Sequence, residues 1–218
     1  MLDGRRALFH EEERWLAVAD VHFGYELNRT RHHGNALPQW CMAATETRLL
    51  AILRDYQPRT LILNGDVMDG GGSWRESSKL IERLRGVVPE LIFIEGNHDR
   101  RQIKEACGCK PWHRIGRFIF HHGHRFDAVV AEVRFELEHP SEVIHVTGHE
   151  HPVVVVKDAA TGAKQKLPAL VQQRLRGTVS AEHWIMPAFS PWAGASEYAS
   201  QHERTGTWLC DEAQVQAV

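Results

Sequence analysis

The sequence is short of the features that mark several common protein classes. Only four of its 218 residues are cysteines. Cys41, Cys107, Cys109 and Cys210 form neither a zinc-type CxxC pair nor a dense disulfide pattern. Cys107-Gly108-Cys109 admits a metal or redox pair; free thiols in a reducing compartment are the reading adopted. No stretch approaches the roughly 20 apolar residues of a membrane span. The opening MLDGRRALFHEEE has no apolar signal-peptide core, so a cytoplasmic location is expected. Neither sign of charge dominates, with 26 Lys and Arg against 28 Asp and Glu. A protein built to coat nucleic acid carries a basic excess, which speaks against that class but not against a local basic patch. No repeat, low-complexity tract or linker interrupts the chain, so one domain over 1–218 is expected. Gly70-Gly71-Gly72 lacks the Gly-Lys-Ser/Thr ending of a phosphate-cradling loop and is read as an ordinary loop.

Histidine is what the chain has in abundance. There are 15, most of them in short clusters, and metal binding is one reason to concentrate imidazole. Around them, apolar runs alternate with helical segments, which predicts an α/β architecture. Trp15 to Val21 reads as a buried strand. A polar loop from Leu27 to Leu37 follows, and Pro38 opens a helix that runs to about Tyr56. Thr60 to Asn64 and Leu91 to Glu95 are further buried strands. Ser73 and Glu76 form a capping box for a helix carrying Leu80, Ile81 and Leu84. Arg117 to Phe120 and Glu142 to Val146 lead into His-rich turns. The remainder reads as strand-rich, at Val153 to Lys157, Leu167 to Gln172 and His183 to Pro187.

Five strands therefore end in polar clusters: Asp20-x-His22, Gly65-Asp66, Gly96-Asn97-His98-Asp99, His122-Gly123-His124 and Gly148-His149-x-His151. In open α/β sheets ligands bind beyond the carboxyl ends of the strands, so all five fall where one site can form. Residues i and i+2 of an extended segment point the same way, which would let Asp20 and His22 reach one metal together. Oxygen and nitrogen ligands without thiolate suit manganese, iron, zinc, cobalt or nickel better than magnesium or calcium.

In this order the clusters resemble the pattern of the calcineurin-like metallophosphoesterases: DxH, GD, GNH[DE], HGH, GHxH. The chain reads ADVH, NGD, GNHD, HHGH and TGHEH. DVHFGYE, LNGDVMD and the late MPAFSPWAGAS also resemble the archaeal-type and DNA-ligase-associated phosphoesterases. The resemblance implies two packed mixed β-sheets flanked by helices. It implies a first metal on Asp20, His22 and His151, a second on Asn97, His122 and His149, and Asp66 bridging both. It makes His98 the catalytic residue that contacts the phosphate and assists the leaving group, with Asp99 orienting it. Two divalent transition-metal ions are the implied cofactors, manganese foremost. Association with ligases and helicases implies DNA-repair partners.

The chemistry then has a physical rationale. Phosphodiesters repel a hydroxide nucleophile. Two cations about 3.5–4 Å apart offset that charge and make hydroxide from the water between them. A histidine supplies the proton that the leaving alkoxide needs. The expected function is hydrolysis of phosphodiesters, nucleotides or nucleic acids among them. A phosphomonoesterase or protein phosphatase is the alternative within enzymes. A metal-bound scaffold is the other class, and retention of every ligand and of His98 speaks against it.

Several positions carry two readings. His122 is preferred over His124 as a ligand because it directly follows a strand, and His121 would face the other way. His10, His113, His139, His145, His183 and His202 read as surface or packing residues. Arg29, Arg31, His32 and His33 form either a solvated loop or a rim for phosphates. Arg100 or Arg101 helps bind substrate or is simply solvated. Trp74 either stacks on a base or packs where its helix begins.

Overall fold

The computed structural model describes residues 1–33, 40–70, 74–136, 143–176, 181–194, 196–197 and 209–218. Two mixed sheets face each other. The first holds β1 (Leu2–Asp3), β2 (Ala7–His10), β3 (Trp15–Val18), β4 (Thr60–Asn64) and β5 (Glu90–Ile94) in that order. Its β3, β4 and β5 run parallel, and β1 and β2 extend it by antiparallel pairing. The second is built from β6 (Trp112–Ile115), β7 (Phe118–His121), β8 (Ile144–Thr147), β9 (Pro152–Lys157), β10 (Lys164–Arg176), β11 (Ala181–Ile185), β12 (Ser196–Glu197) and β13 (Leu209–Ala217). Its order is β12-β9-β10-β11-β8-β7-β6, with β13 also pairing β10. The helices are α1 (Tyr25–His33), α2 (Trp40–Tyr56), α3 (Trp74–Val87), α4 (Arg101–Cys107) and α5 (Phe126–Glu136).

Strand periodicity explains the layering. Along β3, Trp15 and Ala17 face the second sheet while Leu16 and Val18 face the helices. The same alternation puts Ile62, Ile92, Ile94, Phe118, Phe120, Ile144 and Val146 between the sheets. It turns Leu61, Leu63 and Phe93 toward Leu49, Ile52 and Leu53 of α2, Leu80, Ile81 and Leu84 of α3, and Ile103 of α4. Strands that are apolar on both faces need cover on both sides, which is why they read as unbroken apolar runs. On the far side, Val129 and Val133 of α5 cover Ile119.

Several boundaries differ from expectation. Leu27 lies in α1, not in a loop that continues to Leu37. The helix holds because Arg29 Nε donates to the Tyr25 hydroxyl one turn back at 2.9 Å and the Thr30 hydroxyl donates to the Glu26 carbonyl. α4 and α5 were not anticipated. The Pro38 and Ser73 calls lie outside the described residues. Cys107-Gly108-Cys109 is the end of α4, closed by Gly108 at φ +62°. Burial pushes both thiols up, Cys109 to about 12, so they are poor nucleophiles and poor ligands. No described helix is long and apolar enough to cross a membrane.

Three histidines are buried behind the second sheet. His121 Nε2 lies 3.2 Å from His145 Nδ1, and His183 sits between the Thr147 hydroxyl at 2.8 Å and the Gln173 amide at 3.1 Å. Burial lowers His145 to about 4, and burial with the nearby His145 lowers His183 to about 3. Both stay neutral in the folded chain, while an unfolded histidine protonates near pH 6.5. Their stabilisation is therefore complete above pH 6.5 and declines as pH falls toward 4. Each contributes a loss of up to about 1.4 kcal/mol per pH unit in that window. Thermal midpoints at pH 7.5 and 5.0 should fall less steeply for His183→Gln than for the parent. Equal slopes would remove His183 from this account.

Candidate metal centre

The predicted ligands stand at the ends of parallel strands. Asp20 and His22 follow β3, Asp66 follows β4, and Asn97, His98 and Asp99 follow β5. His122 follows β7, and His149 and His151 follow β8. The expectation that the pleat aligns Asp20 with His22 does not hold. β3 ends at Val18, and both residues adopt left-handed backbone, at φ 54° and 44°. Asp66, His149 and His151 do so too, at 47°, 70° and 47°. Side chains rarely adopt this region, at roughly 1–3 kcal/mol each, and such strain gathers at functional sites. Cross-bracing holds it here. Asp20 N–H donates to the Gly65 carbonyl, His22 N–H to the Asp66 carbonyl, and Gly148 N–H to the His122 carbonyl. Asn64 Nδ2 donates to the Val146 carbonyl at 3.1 Å and ties the two sheets together at the site.

Two fully buried carboxylates form the floor. Asp66 Oδ1 accepts the His98 N–H at 2.8 Å, while Oδ2 lies 3.2 Å from His122 Nε2 and 3.8 Å from His22 Nε2. Asp20 accepts the His149 N–H at 3.0 Å, and its Oδ1 lies 3.1 Å from His151 Nε2. His122 Nε2 is 3.0 Å from Asn97 Oδ1. Burial would raise the Asp66 carboxyl, but the hydrogen bond and charge of His122, the His98 amide and His22 hold it well below the usual range. His122 responds in kind. Burial lowers it, and Asp66 and Asp20 together raise it above its ordinary value. Gly96 packs so close that a β-carbon would enter the Asp66 carboxylate and amide.

The donors fit divalent cations. Asp20, His22 and His151 converge, as do Asp20, Asp66 and His122, with ligand atoms within 4.8 Å of one another in each group. His22 Nδ1 and His151 Nε2 are buried and have no hydrogen-bond partner, although His151 Nε2 lies close to Asp20. Donors that approach without bonding are arranged as ligands of a common ion are. Buried carboxylates are otherwise costly, and metal coordination is the usual compensation. His151 Nδ1 meets the Gly194 carbonyl at 2.8 Å, which leaves Nε2 as the atom available to a cation.

The remaining nominated residues fall as follows. The His149 ring lies 5.0 Å from that of His122, outside the tight groups. His124 is partly buried with its ring 5.3 Å from His122. Asp99 takes a place other than the one expected beside His98. Its Oδ1 accepts from the Val67 and Met68 amides and its Oδ2 from the Gly96 amide. It shapes the loops, and burial raises its carboxyl. The acid that faces His98 is Asp69, with Oδ1 4.0 Å from His98 Nδ1 and 3.5 Å from His22 Nδ1. Asn28 of α1 donates to its other oxygen at 2.9 Å. Asp69 sits in the quoted LNGDVMD, three residues after Asp66, which was the available signal. The late MPAFSPWAGAS segment also acquires a role. Phe189 and Ser190 amides bond the Ala19 and Asp20 carbonyls, and Gly194 holds His151.

Comparison with known proteins follows the same outline. Residues 14–153 match the calcineurin-like phosphoesterase family. The nuclease MPE of Pseudomonas putida is similar in fold, with a TM-score of 0.61 at 22% identity over 91% of this chain and 86% of that one. The E. coli phosphoesterase YfcE gives 0.46 at 19% identity over 83% and 82%. A dimetal phosphatase from Danio rerio gives 0.42 at 11% identity over 81% and 87%. Only the first is close enough to support a shared fold. A search of the curated proteins finds no match.

Two outcomes test the centre. Asp66→Asn should lose bound metal by elemental analysis together with hydrolysis. Gly96→Ala should act the same way although it removes no ligand, because the Asp66 carboxylate must move. Retention of full metal content by Gly96→Ala would show that this close contact is dispensable.

Proposed function

We propose that this chain, which belongs to the calcineurin-like phosphoesterase family, hydrolyses phosphodiesters of nucleotide type at a two-metal centre. That it is a hydrolase of phosphoester bonds follows from the family. The observation that carries the finer reading is the placement of His98. Its side chain is 54% exposed at the mouth of the site, while its amide is bonded to the buried Asp66. A proton donor is thus fixed to the metal-ligand floor and open to substrate.

Asp20, His22 and His151 would hold one cation, His122, Asn97 and His149 the other, with Asp66 shared. Oxygen and nitrogen donors suit manganese, iron, zinc, cobalt or nickel, and the family resemblance puts manganese foremost. When bound, two such cations would offset phosphate charge and activate water. The chain's own residues do the rest. His98 donates a proton toward the leaving oxygen, and Asp69 faces its Nδ1 and orients the ring. Burial would raise the Asp69 carboxyl, but the nearby His22 and the hydrogen bond from Asn28 lower it, so it remains an anion facing the His98 ring.

The nucleotide character rests on the rim. Tyr25 and Trp192 stack with ring centroids 5.7 Å apart at 16°, and Arg29 lies over Tyr25 at 5.1 Å. Tyr25 is three residues from His22, and Trp192 is two from the Gly194 that holds His151. An aromatic shelf with a cation suits a base without reading it. Trp74 is not part of that shelf, because it packs against the helical core. The thiols and the absence of a described membrane-spanning helix are consistent with the cytoplasm as the proposed location.

His98→Ala should keep its metals and lose turnover by ~10²–10⁴-fold. The loss should be smaller for nitrophenyl esters, whose leaving group needs no proton. Asp69→Asn should follow the same pattern more weakly. A panel of the manganese-loaded enzyme should favour dinucleotides and bis(p-nitrophenyl) phosphate over p-nitrophenyl phosphate. Faster turnover of the monoester would replace this reading by a phosphomonoesterase.

A further inference from the structure

A cavity of about 160 Å³ opens beside the first ligand group, with His151 in its wall. A single water needs only about 10–15 Å³, so the space admits a tetrahedral anion with solvent. Arg6, Lys166 and Ser190 also line it, and no Asp or Glu does among the described residues. We propose that this cavity is a subsite for a second phosphate of the substrate, adjacent along the chain to the bond that is cut.

The charge distribution points to an anion. Arg6 stands in the turn between β1 and β2 at φ 70°, a conformation held without glycine. Its described hydrogen bonds both leave from Nη1, to the Ala188 carbonyl at 3.3 Å and the Ser190 carbonyl at 3.1 Å. Nε and Nη2 make none to the described residues. Arg6 pairs with no carboxylate among the described residues, whereas its neighbour Arg5 has two, Asp3 at 2.8 Å and Asp55 at 2.5 Å. Arg48 of α2 repeats the anomaly. It donates to the Phe189 carbonyl, lies over the Phe189 ring at 4.0 Å and has no acidic partner among the described residues. Burial lowers both guanidiniums, Arg48 to about 10 with Arg6 adding to the effect, and both remain charged at neutral pH. Half-buried cations without counter-ions are unfavourable until an anion arrives.

A clamp on the segment from Ala188 to Ser190 would account for the carbonyl contacts alone. It does not account for the charge, since a neutral donor bonds a carbonyl as well. Nor does it account for Lys166, which is exposed on β10 and forms no described hydrogen bond or ion pair, yet completes the basic wall. The arrangement matches a polymeric or multiply phosphorylated substrate. One phosphate lies over the metals, and the next enters between Arg6 and Lys166, where the Ser190 hydroxyl is within the same wall. This subsite rests on the phosphodiesterase reading for its place in catalysis, but it can be measured without turnover.

The test uses hexathymidylate. Binding to the metal-stripped chain is followed by fluorescence anisotropy across salt concentration. Each phosphate contact on a single strand contributes about 0.7 to the slope of log affinity against log salt. Lys166→Ala should weaken binding about fivefold and reduce that slope by about 0.7. Arg6→Gln should do the same or more, and Arg6→Lys should restore most of it. With manganese-loaded enzyme, Lys166→Ala should raise KM for the oligonucleotide and leave bis(p-nitrophenyl) phosphate, which has one phosphate, within twofold of the parent. Parental affinity and slope in Lys166→Ala, no binding at all by the metal-stripped parent, or equal kinetic effects on both substrates would each overturn the subsite. Lys166 is exposed on a strand, so the answer does not depend on Arg6→Gln folding. If neither diester is hydrolysed, the phosphodiesterase reading fails, and the anisotropy still decides the subsite.

Discussion

The centre is organised around the Asp66 carboxylate, which is 1% exposed and carries charge in a place where water cannot solvate it. Burying a carboxylate costs several kcal/mol unless donors or cations compensate it. Asp66 collects that compensation from three loops at once: the His98 amide from after β5, the His122 ring from after β7 and the His22 ring from after β3. The two sheets are thereby joined at one end by electrostatics. At the middle they are joined by the apolar layer of Trp15, Ile62, Phe120 and Val146. Asn64, two residues before Asp66 at the end of β4, adds a neutral link across the same gap.

Holding the ligands this way requires backbone that is unfavourable in isolation. Asp20, His22, Asp66, His149 and His151 all sit in the left-handed region. At roughly 1–3 kcal/mol apiece, the strain rivals the net stability of a domain, so the surroundings must impose it. They do so through amide-to-carbonyl bonds between neighbouring loops, through Asp99 gathering the amides of Val67, Met68 and Gly96, and through the segment from Ala188 to Ser190 lying along the end of β3. Preorganisation of this kind fixes ligand positions before any ion is present.

These facts explain what could be read in the linear chain. The strands before the candidate ligands are apolar on both faces and are followed by Gly, Asp, Asn and His, so their sequence along the chain was plain, although β3 stops at Val18 and does not run on to Val21. Two mixed sheets with flanking helices followed from the resemblance. What escaped was whatever depends on a second segment. α1 has little apolar periodicity, and it is fixed by Arg29 on Tyr25 and by Asn28 on Asp69. Asp99 looked like a partner of the adjacent His98, yet sequence neighbours after a strand end diverge, and Asp69 from another loop takes that place. The pairing of Asp20 with His22 was anticipated for a pleat that does not exist. MPAFSPWAGAS contributes carbonyls and amides, which no side-chain pattern reveals.

Composition was informative about class and misleading about local field. The near balance of 26 basic and 28 acidic residues speaks against a protein built to coat nucleic acid and leaves a local basic patch open. Four of those acids, Asp20, Asp66, Asp69 and Asp99, are buried around the centre, where they meet histidines, amides and the ions the centre is built to take. They contribute little to what an approaching substrate meets at the surface. The rest of the chain is then short of acid relative to base. Arg6 lines the cavity that holds His151, Arg48 packs on Phe189, a chain neighbour of that wall, and both are half-buried without an acidic partner among the described residues. A field at a cleft depends on where charges sit and how they are solvated, not on their sum. The chain combines near-neutral charge overall with a local basic wall, where Arg6 and Lys166 share a cavity with His151 and no Asp or Glu lines it among the described residues.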